Sequence, residues 1–249
     1  MRITGFFLLV IIAAIMAPSV SSAQQPSEYT TPIVVDPTSM ARIEFLERFW
    51  DFGRVPRGHI VYHNFAFRNI GSDTLIITKV KPTCGCTAAP LSTDRIAPGD
   101  TAKISVTLDT SKLRGKVRKF VNIDCNDPVN PYYKITFAAE IDSLNKDLVV
   151  EPFIADFGEF ASGSGPKITL EIKNGSSSSL TLAIADKPSE DIMTATFSDT
   201  NIPVDGTAKL TLEIITKVEV GPFSSTIALE AEGSPGTRVS IPVTGKVIE

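Results

Sequence analysis

From Ile43 onward, hydrophobic and polar residues alternate along most of the chain. In one clear segment Val61, His63, Phe65 and Phe67 share one face and more polar neighbours share the other. Successive side chains of a strand point to opposite sides, so this alternation predicts strands with one face in a core. The same period recurs in segments 104–108, 117–123, 135–141, 168–172, 180–184, 210–214 and 239–243.

Turn-forming residues separate these alternating segments. Clusters containing Gly, Pro, Asn or Asp supply the backbone conformations that tight turns require. Short strands with turns at intervals of about ten residues predict an all-β sandwich or barrel. No segment carries a long helical stripe with caps. The clusters lie at 55–58, 71–73, 97–100 and 126–128.

The chain also repeats itself. Asp51-Phe52-Gly53 returns as Asp156-Phe157-Gly158, and Gly99-Asp100-Thr101-Ala102-Lys103-Ile104 is echoed by Asp205-Gly206-Thr207-Ala208-Lys209-Leu210. The repeat length of about 100 residues is the size of a small domain. We therefore predict two tandem β-sandwich domains, at 41–143 and 147–249, with a short polar link between them. In each triplet we expect the Phe to anchor a strand in the core and the Gly to permit a following turn.

The N-terminal residues have the features of an export signal. Arg2 precedes the apolar run 6–17, and Ser21 and Ala23 fit the small-residue positions before a cleavage site. This pattern predicts a signal peptide at 1–23, followed by a flexible linker at 24–40. We expect the mature chain to have no transmembrane span and to be exported, to the periplasm or the cell surface.

Charge and motifs narrow the function classes. The net charge is −4, from 24 Lys and Arg against 28 Asp and Glu, and no basic stripe marks a nucleic-acid partner. A nucleophile elbow, a zinc-protease motif and a phosphate-binding glycine loop are all missing from the sequence. We therefore expect a non-enzymatic protein without a cofactor, whose partner is a protein or an envelope polymer.

Cys84-Gly85-Cys86 is the one unusual constellation, and Cys125 is the third cysteine. Residues two apart in an extended strand have Cα atoms about 6.5 Å apart, near the upper limit for a disulfide, and Gly85 could let the bridge close. Cys125 shares a face with Val121 and Ile123 and could instead pair with Cys84 or Cys86. The three cysteines therefore have several possible roles. They could form a structural disulfide or be buried thiols, Cys84 and Cys86 could be a redox pair, or these two could be a weak Cu(I) site.

An ordered set of motifs resembles a bacterial domain-of-unknown-function family, number 1573, which is similar to the immunoglobulin-like domains of the major sperm protein and hydin type. The resemblance is strong over 43–141, and 148–249 looks like a degenerate copy without the cysteine pair. It implies an immunoglobulin-like sandwich used for binding or scaffolding, with no established chemistry. The motifs are Trp50-Asp51-Phe52-Gly53, Phe67-Arg68-Asn69-Ile70-Gly71, Thr83-Cys84-Gly85-Cys86-Thr87, Ile96-Ala97-Pro98-Gly99-Asp100 and Asn126-Asp127-Pro128.

Taken together, these features predict an exported, non-enzymatic cell-envelope protein with two immunoglobulin-like binding or scaffolding modules. The alternative is a thiol-redox or Cu(I)-handling protein that uses Cys84 and Cys86. A weaker alternative is a periplasmic chaperone, which would use an exposed apolar edge strand near residues 112–121.

Overall fold

A computed structural model describes residues 36, 38–142, 147–215, 218–232 and 234–249. The predicted signal peptide and most of the predicted linker, all but residues 36 and 38–40, lie outside these residues. The described part contains no helix that could span a membrane. Its regular structure consists of strands, as the alternating pattern predicts, and the all-β fold class is confirmed.

Nine strands make up the first half of the described chain, which we call the first sandwich. They are β1 (Ile43–Phe45), β2 (Phe49–Val55), β3 (Ile60–Asn69), β4 (Leu75–Pro82), β5 (Thr87–Ala88), β6 (Arg95–Ile96), β7 (Thr101–Asp109), β8 (Gly115–Cys125) and β9 (Tyr132–Ile141).

Nine further strands make up the second half, which we call the second sandwich. They are β10 (Leu148–Glu151), β11 (Ala155–Ala161), β12 (Lys167–Asn174), β13 (Leu180–Asp186), β14 (Met193–Phe197), β15 (Asn201–Ile202), β16 (Thr207–Ile214), β17 (Gly221–Ala231) and β18 (Ser234–Ile248).

Each half has its own small sheet, and the two small sheets have the same strand order. The first is β1-β3-β7-β5 and the second is β10-β12-β16-β14. The remaining strands form one ten-stranded sheet in the order β15-β13-β17-β18-β2-β9-β8-β4-β6, with β11 pairing in parallel to β18. The large sheet passes from one half to the other where β18 pairs in parallel with β2, at Val239 and Arg54.

The hydrophobic core is divided between the two sandwiches. One cluster joins side chains of β3 and β7 to those of β2, β8 and β9, including Phe52, Phe65 and Phe137. A second cluster joins β12 and β16 to β13, β17 and β18. The alternating face of Val61, His63, Phe65 and Phe67 is buried, as the sequence predicts.

The repeated Asp-Phe-Gly triplets lie inside strands rather than before turns. Each glycine sits at a register shift of its strand with a φ near +60°, 63° at Gly53 and 62° at Gly158. The Asp carboxylate accepts the glycine N–H, at 2.8 Å in the first copy and 3.1 Å in the second. The triplet is therefore a β-bulge, in which glycine supplies a conformation that other residues adopt only at a cost.

Candidate functional sites

Cys84 and Cys86 are joined by a disulfide in the connection between β4 and β5. Their Cα atoms are 5.3 Å apart, closer than the spacing in an extended strand, because the segment forms a tight turn. Both cysteines are half-buried, and a side chain at Gly85 would meet no atom within 4 Å. One side of the turn is thus open.

Neighbouring strands hold this turn in place. Thr83 donates its N–H to the carbonyl of Phe120 at 3.0 Å, and Asp109 donates its N–H to the carbonyl of Cys86 at 3.0 Å. The hydroxyl of Thr87 lies 3.4 Å from Cys84 Sγ. The disulfide is consequently fixed on β7 and β8 and does not sit in a loose loop.

Cys125 is a free thiol at the end of β8 and is fully buried. Burial raises the pKa of this thiol to about 11. The thiolate is the reactive form of cysteine, so Cys125 is unreactive near neutral pH. Its pairing partner in the sheet is Ile77, and the disulfide joins the other two cysteines.

A metal site finds little support in the described geometry. Within the described ranges, no three His, Cys, Asp or Glu side chains are grouped so as to hold a metal ion. Cys84 and Cys86, the weak Cu(I) candidates, have their sulfur atoms bonded to each other.

His63 occupies the junction between the two sandwiches. Its ring stacks on Trp50, with ring centroids 3.9 Å apart, and it meets Phe52 and Phe65 edge-on. Its Nδ1 lies 2.6 Å from Asp186 of β13, and its Nε2 lies 2.7 Å from Glu47. An ionised carboxylate only accepts hydrogen bonds, so both contacts are hydrogen bonds when both ring nitrogens carry protons and the ring is an imidazolium.

The environment of His63 acts on its pKa in two opposing ways. Burial by itself would lower the pKa, but the hydrogen bonds and charges of Asp186 and Glu47 outweigh burial and raise it above 6.5. The alternating pattern predicts the inward direction of His63. Nothing in the sequence indicates that Asp186, from the other half, would face it.

Other contacts make the junction continuous. Arg238 of β18 lies over the Trp50 ring at 4.5 Å, pairs with Glu230, and donates from Nη1 to the carbonyl of Asp51 at 3.0 Å. Ser240 donates its hydroxyl to the carbonyl of Phe52 at 2.7 Å. The two sandwiches are thus held by a sheet bridge, side-chain hydrogen bonds and a half-buried ion cluster.

A groove opens beside this junction, with a cavity volume of about 380 Å³. Small residues such as Gly53 and Ala138 lie along it. Positively and negatively charged side chains of the first sandwich line the groove, together with Arg238 of β18. The charged lining residues are Asp51, Arg54, Lys116, Arg118, Glu140 and Arg238.

Comparison with solved structures gives only distant likeness. A protein of unknown function from Porphyromonas gingivalis W83 is 12% identical, with a TM-score of 0.35 over 82% of this chain and 99% of that one. The Ig1-2 module of the Drosophila receptor protein tyrosine phosphatase DLAR is 10% identical, with a TM-score of 0.41 over 83% and 99%. The ASH/PapD-like domain 7 of human CEP192 is 14% identical, with a TM-score of 0.33 over 51% and 100%.

No curated protein matches the chain. The family comparison covers the first sandwich and supports the resemblance drawn from its motifs. Membership of the second sandwich in the same family stays a prediction. Residues 43–141 match the family described as "Protein of unknown function (DUF1573)".

Proposed function

We propose that this chain is an exported, non-enzymatic binding or scaffolding protein of the cell envelope. The observation that best supports this proposal is the shared sheet. Pairing of β18 with β2 makes one broad, stiff surface from two sandwiches and places a groove at their junction. A stiff surface loses little conformational entropy when it binds, which favours recognition. The partner is a protein or an envelope polymer.

Capture from an envelope extract tests this function. The full chain should retain a partner, and Gly53→Ala should retain at least fivefold less, because a side chain at Gly53 would meet the backbone of Arg238 and separate β2 from β18. Gly158→Ala is the matched control, since a side chain there would meet no atom within 4 Å, and it should retain the partner. Protein recovered from the envelope should begin at Gln24. Failure to capture a partner, together with a hydrolytic activity, would contradict the proposal.

A second function is favoured by the open turn at Cys84 and Cys86. An external thiolate can attack one of these sulfurs, forming a mixed disulfide and releasing the other as a thiolate. A second external thiol completes the reduction, which yields two cysteine thiols and one external disulfide. Reduction would also create the thiolate pair that Cu(I) prefers. In this alternative the chain exchanges electrons with partner dithiols or carries Cu(I).

Mass mapping of alkylated cysteines tests the thiol alternative. We expect no labelling of the native, oxidised protein, and labelling of Cys84 and Cys86 but not Cys125 after mild treatment with dithiothreitol. The reason is that the disulfide turn is open on one side whereas Cys125 is buried with its pKa raised. Cys125→Ser should behave like the parent chain. If Cys84 and Cys86 are reduced only once the protein unfolds, the thiol function fails.

A further inference from the structure

The outward face of the large sheet in the first sandwich is unusually basic. Alternate residues of β8 and β9 point into the core, so the residues between them point outward. The register places Lys81, Asn122 and Lys134 in one row across the sheet. We call this surface the basic face. Its exposed cations are Lys79, Lys81, Lys116, Arg118 and Lys134.

Lys79 and Lys116 lie opposite Asp124 and Glu140 in the sheet register, and the other three cations have no carboxylate opposite them in the strand pairs described. Across the described residues, none of the five takes part in an ion pair. Acidic residues outnumber basic residues in the chain as a whole, 28 against 24, so this concentration of positive charge is local. The carboxylates on the same face are Asp51, Asp124 and Glu140. The face therefore keeps positive charge available for an anionic partner.

Aromatic rings lie among the cations. Arg118 lies over the ring of Phe49 at 5.6 Å, and Lys134 lies over the ring of Phe120 at 5.1 Å. Thr136 lies between the two phenylalanines in the sheet register. Phe49 is 48% exposed and Tyr132 is 70% exposed. Rings of this kind supply flat apolar surface beside charged groups.

The basic face continues into the groove at the junction. Lys116 and Arg118 belong to both, and Arg54 and Arg238 line the groove from β2 and β18. Outward residues 116 to 122 of β8 span about 20 Å at the usual rise of a strand. A surface of this length that continues into a groove suits an extended polymer better than a small ligand.

We propose that the basic face binds an anionic polysaccharide. Its cations pair with carboxylate or phosphate groups, its rings pack on sugar faces, and its carboxylates accept hydrogen bonds from sugar hydroxyls. Asp51, Asp124 and Glu140 would repel a polymer that is charged on every unit and lacks such hydroxyls. Arg118 and Lys134 lie over the rings of Phe49 and Phe120, which disfavours insertion of these two rings into a lipid surface, and the 70% exposed ring of Tyr132 is the one open to a sugar face. This inference deepens the proposed function and rests on it by naming the class of envelope polymer.

Binding of the full chain to immobilised polygalacturonate tests the inference, with neutral dextran as the uncharged comparison. We expect retention on polygalacturonate only, weakening steeply between 50 and 500 mM salt because salt screens exposed charges. Arg118→Gln with Lys134→Gln should weaken binding at least tenfold. Arg118→Lys with Lys134→Arg, which keeps both charges, should stay within threefold of the parent chain.

A matched control separates a specific face from bulk charge. Lys103→Gln with Lys209→Gln removes the same charge from two exposed, unpaired lysines on the small sheets and should change binding less than twofold. Equal loss in both double variants, or no retention on polygalacturonate, overturns the inference. So does binding confined to phosphatidylglycerol vesicles or to polyphosphate. If an envelope protein is still captured in that case, the proposed function stands and only the glycan is wrong.

Discussion

Alanine at position 53 is expected to lower the free energy of unfolding by about 3 kcal/mol or more, because overpacking and backbone strain act together. A Cβ at this position would lie 2.1 Å from the carbonyl oxygen of Arg238 and 2.6 Å from its carbon. Those are backbone atoms of β18, so relief requires β18 to move away from β2. The hydrogen bond from Ser240 to the carbonyl of Phe52 would be lost with that movement.

Gly158 provides the matched control for this prediction. It occupies the same place in the second Asp-Phe-Gly triplet with nearly the same φ, but an added Cβ would meet no atom within 4 Å. Gly158→Ala should therefore cost only the left-handed backbone strain, about 1–2 kcal/mol. Urea unfolding followed by the fluorescence of Trp50, the single tryptophan, reports directly on the junction. Equal losses in the two variants would show that the close approach at Gly53 is unimportant.

Replacing His63 by phenylalanine is expected to cost about 2–4 kcal/mol at pH 6, because two hydrogen bonds to charged groups are lost and their carboxylates remain. Phenylalanine can keep the stacking on Trp50, so the loss reports mainly on the imidazolium. Solvent screens part of this interaction, because the side chains of Asp186 and Glu47 are 32% and 37% exposed.

The stabilisation by His63 should depend on pH with a definite sign. Its folded pKa is raised above 6.5, so folding favours the protonated ring. The contribution is complete below about pH 6.5 and is lost as the pH rises through the folded pKa. Above that pH one ring nitrogen presents a lone pair to a carboxylate. The nearby Arg238 is paired with Glu230.

Unfolding free energies of the parent chain and His63→Phe, measured from pH 5 to pH 9, test this dependence. The difference between the two should be largest at the acidic end and should shrink toward the alkaline end. His59→Phe is the matched control, because His59 is the only other histidine and only its backbone is hydrogen-bonded in the described structure. A difference that is constant with pH would contradict an imidazolium at the junction.

The alternating pattern predicts a large part of the fold correctly. The segments around Val61, Ile104 and Ile135 form strands whose inward residues are those expected from period two. For the Asp-Phe-Gly triplets the sequence predicts a turn after the glycine, whereas the structure has a β-bulge. A glycine with positive φ suits both. The bulge depends on pairing of β2 with β9, which the local sequence does not encode.

The candidate sites are also predicted from the sequence only in part. The sequence leaves open whether Cys84 pairs with Cys86 or one of them pairs with Cys125, and the structure joins Cys84 to Cys86 in a turn instead of an extended strand. The basic cluster around Lys116 and Arg118 is visible in the sequence only as a charged hairpin. Lys81 and Lys134 join this cluster only because β4, β8 and β9 pair side by side in the sheet.

The sequence by itself determined the all-β class and the inward direction of His63, because both depend on the alternation of residues close together in the chain, and it also shows that the Asp-Phe-Gly triplet occurs twice. Only the tertiary structure decided that a Cβ added at Gly53 would collide with β18 while one added at Gly158 would meet no atom within 4 Å, and that His63 meets Asp186. These contacts join residues far apart in sequence, 187 positions for Arg238 and Asp51 and 123 for His63 and Asp186. Identical triplets acquire different roles because the strands that pack beside them differ.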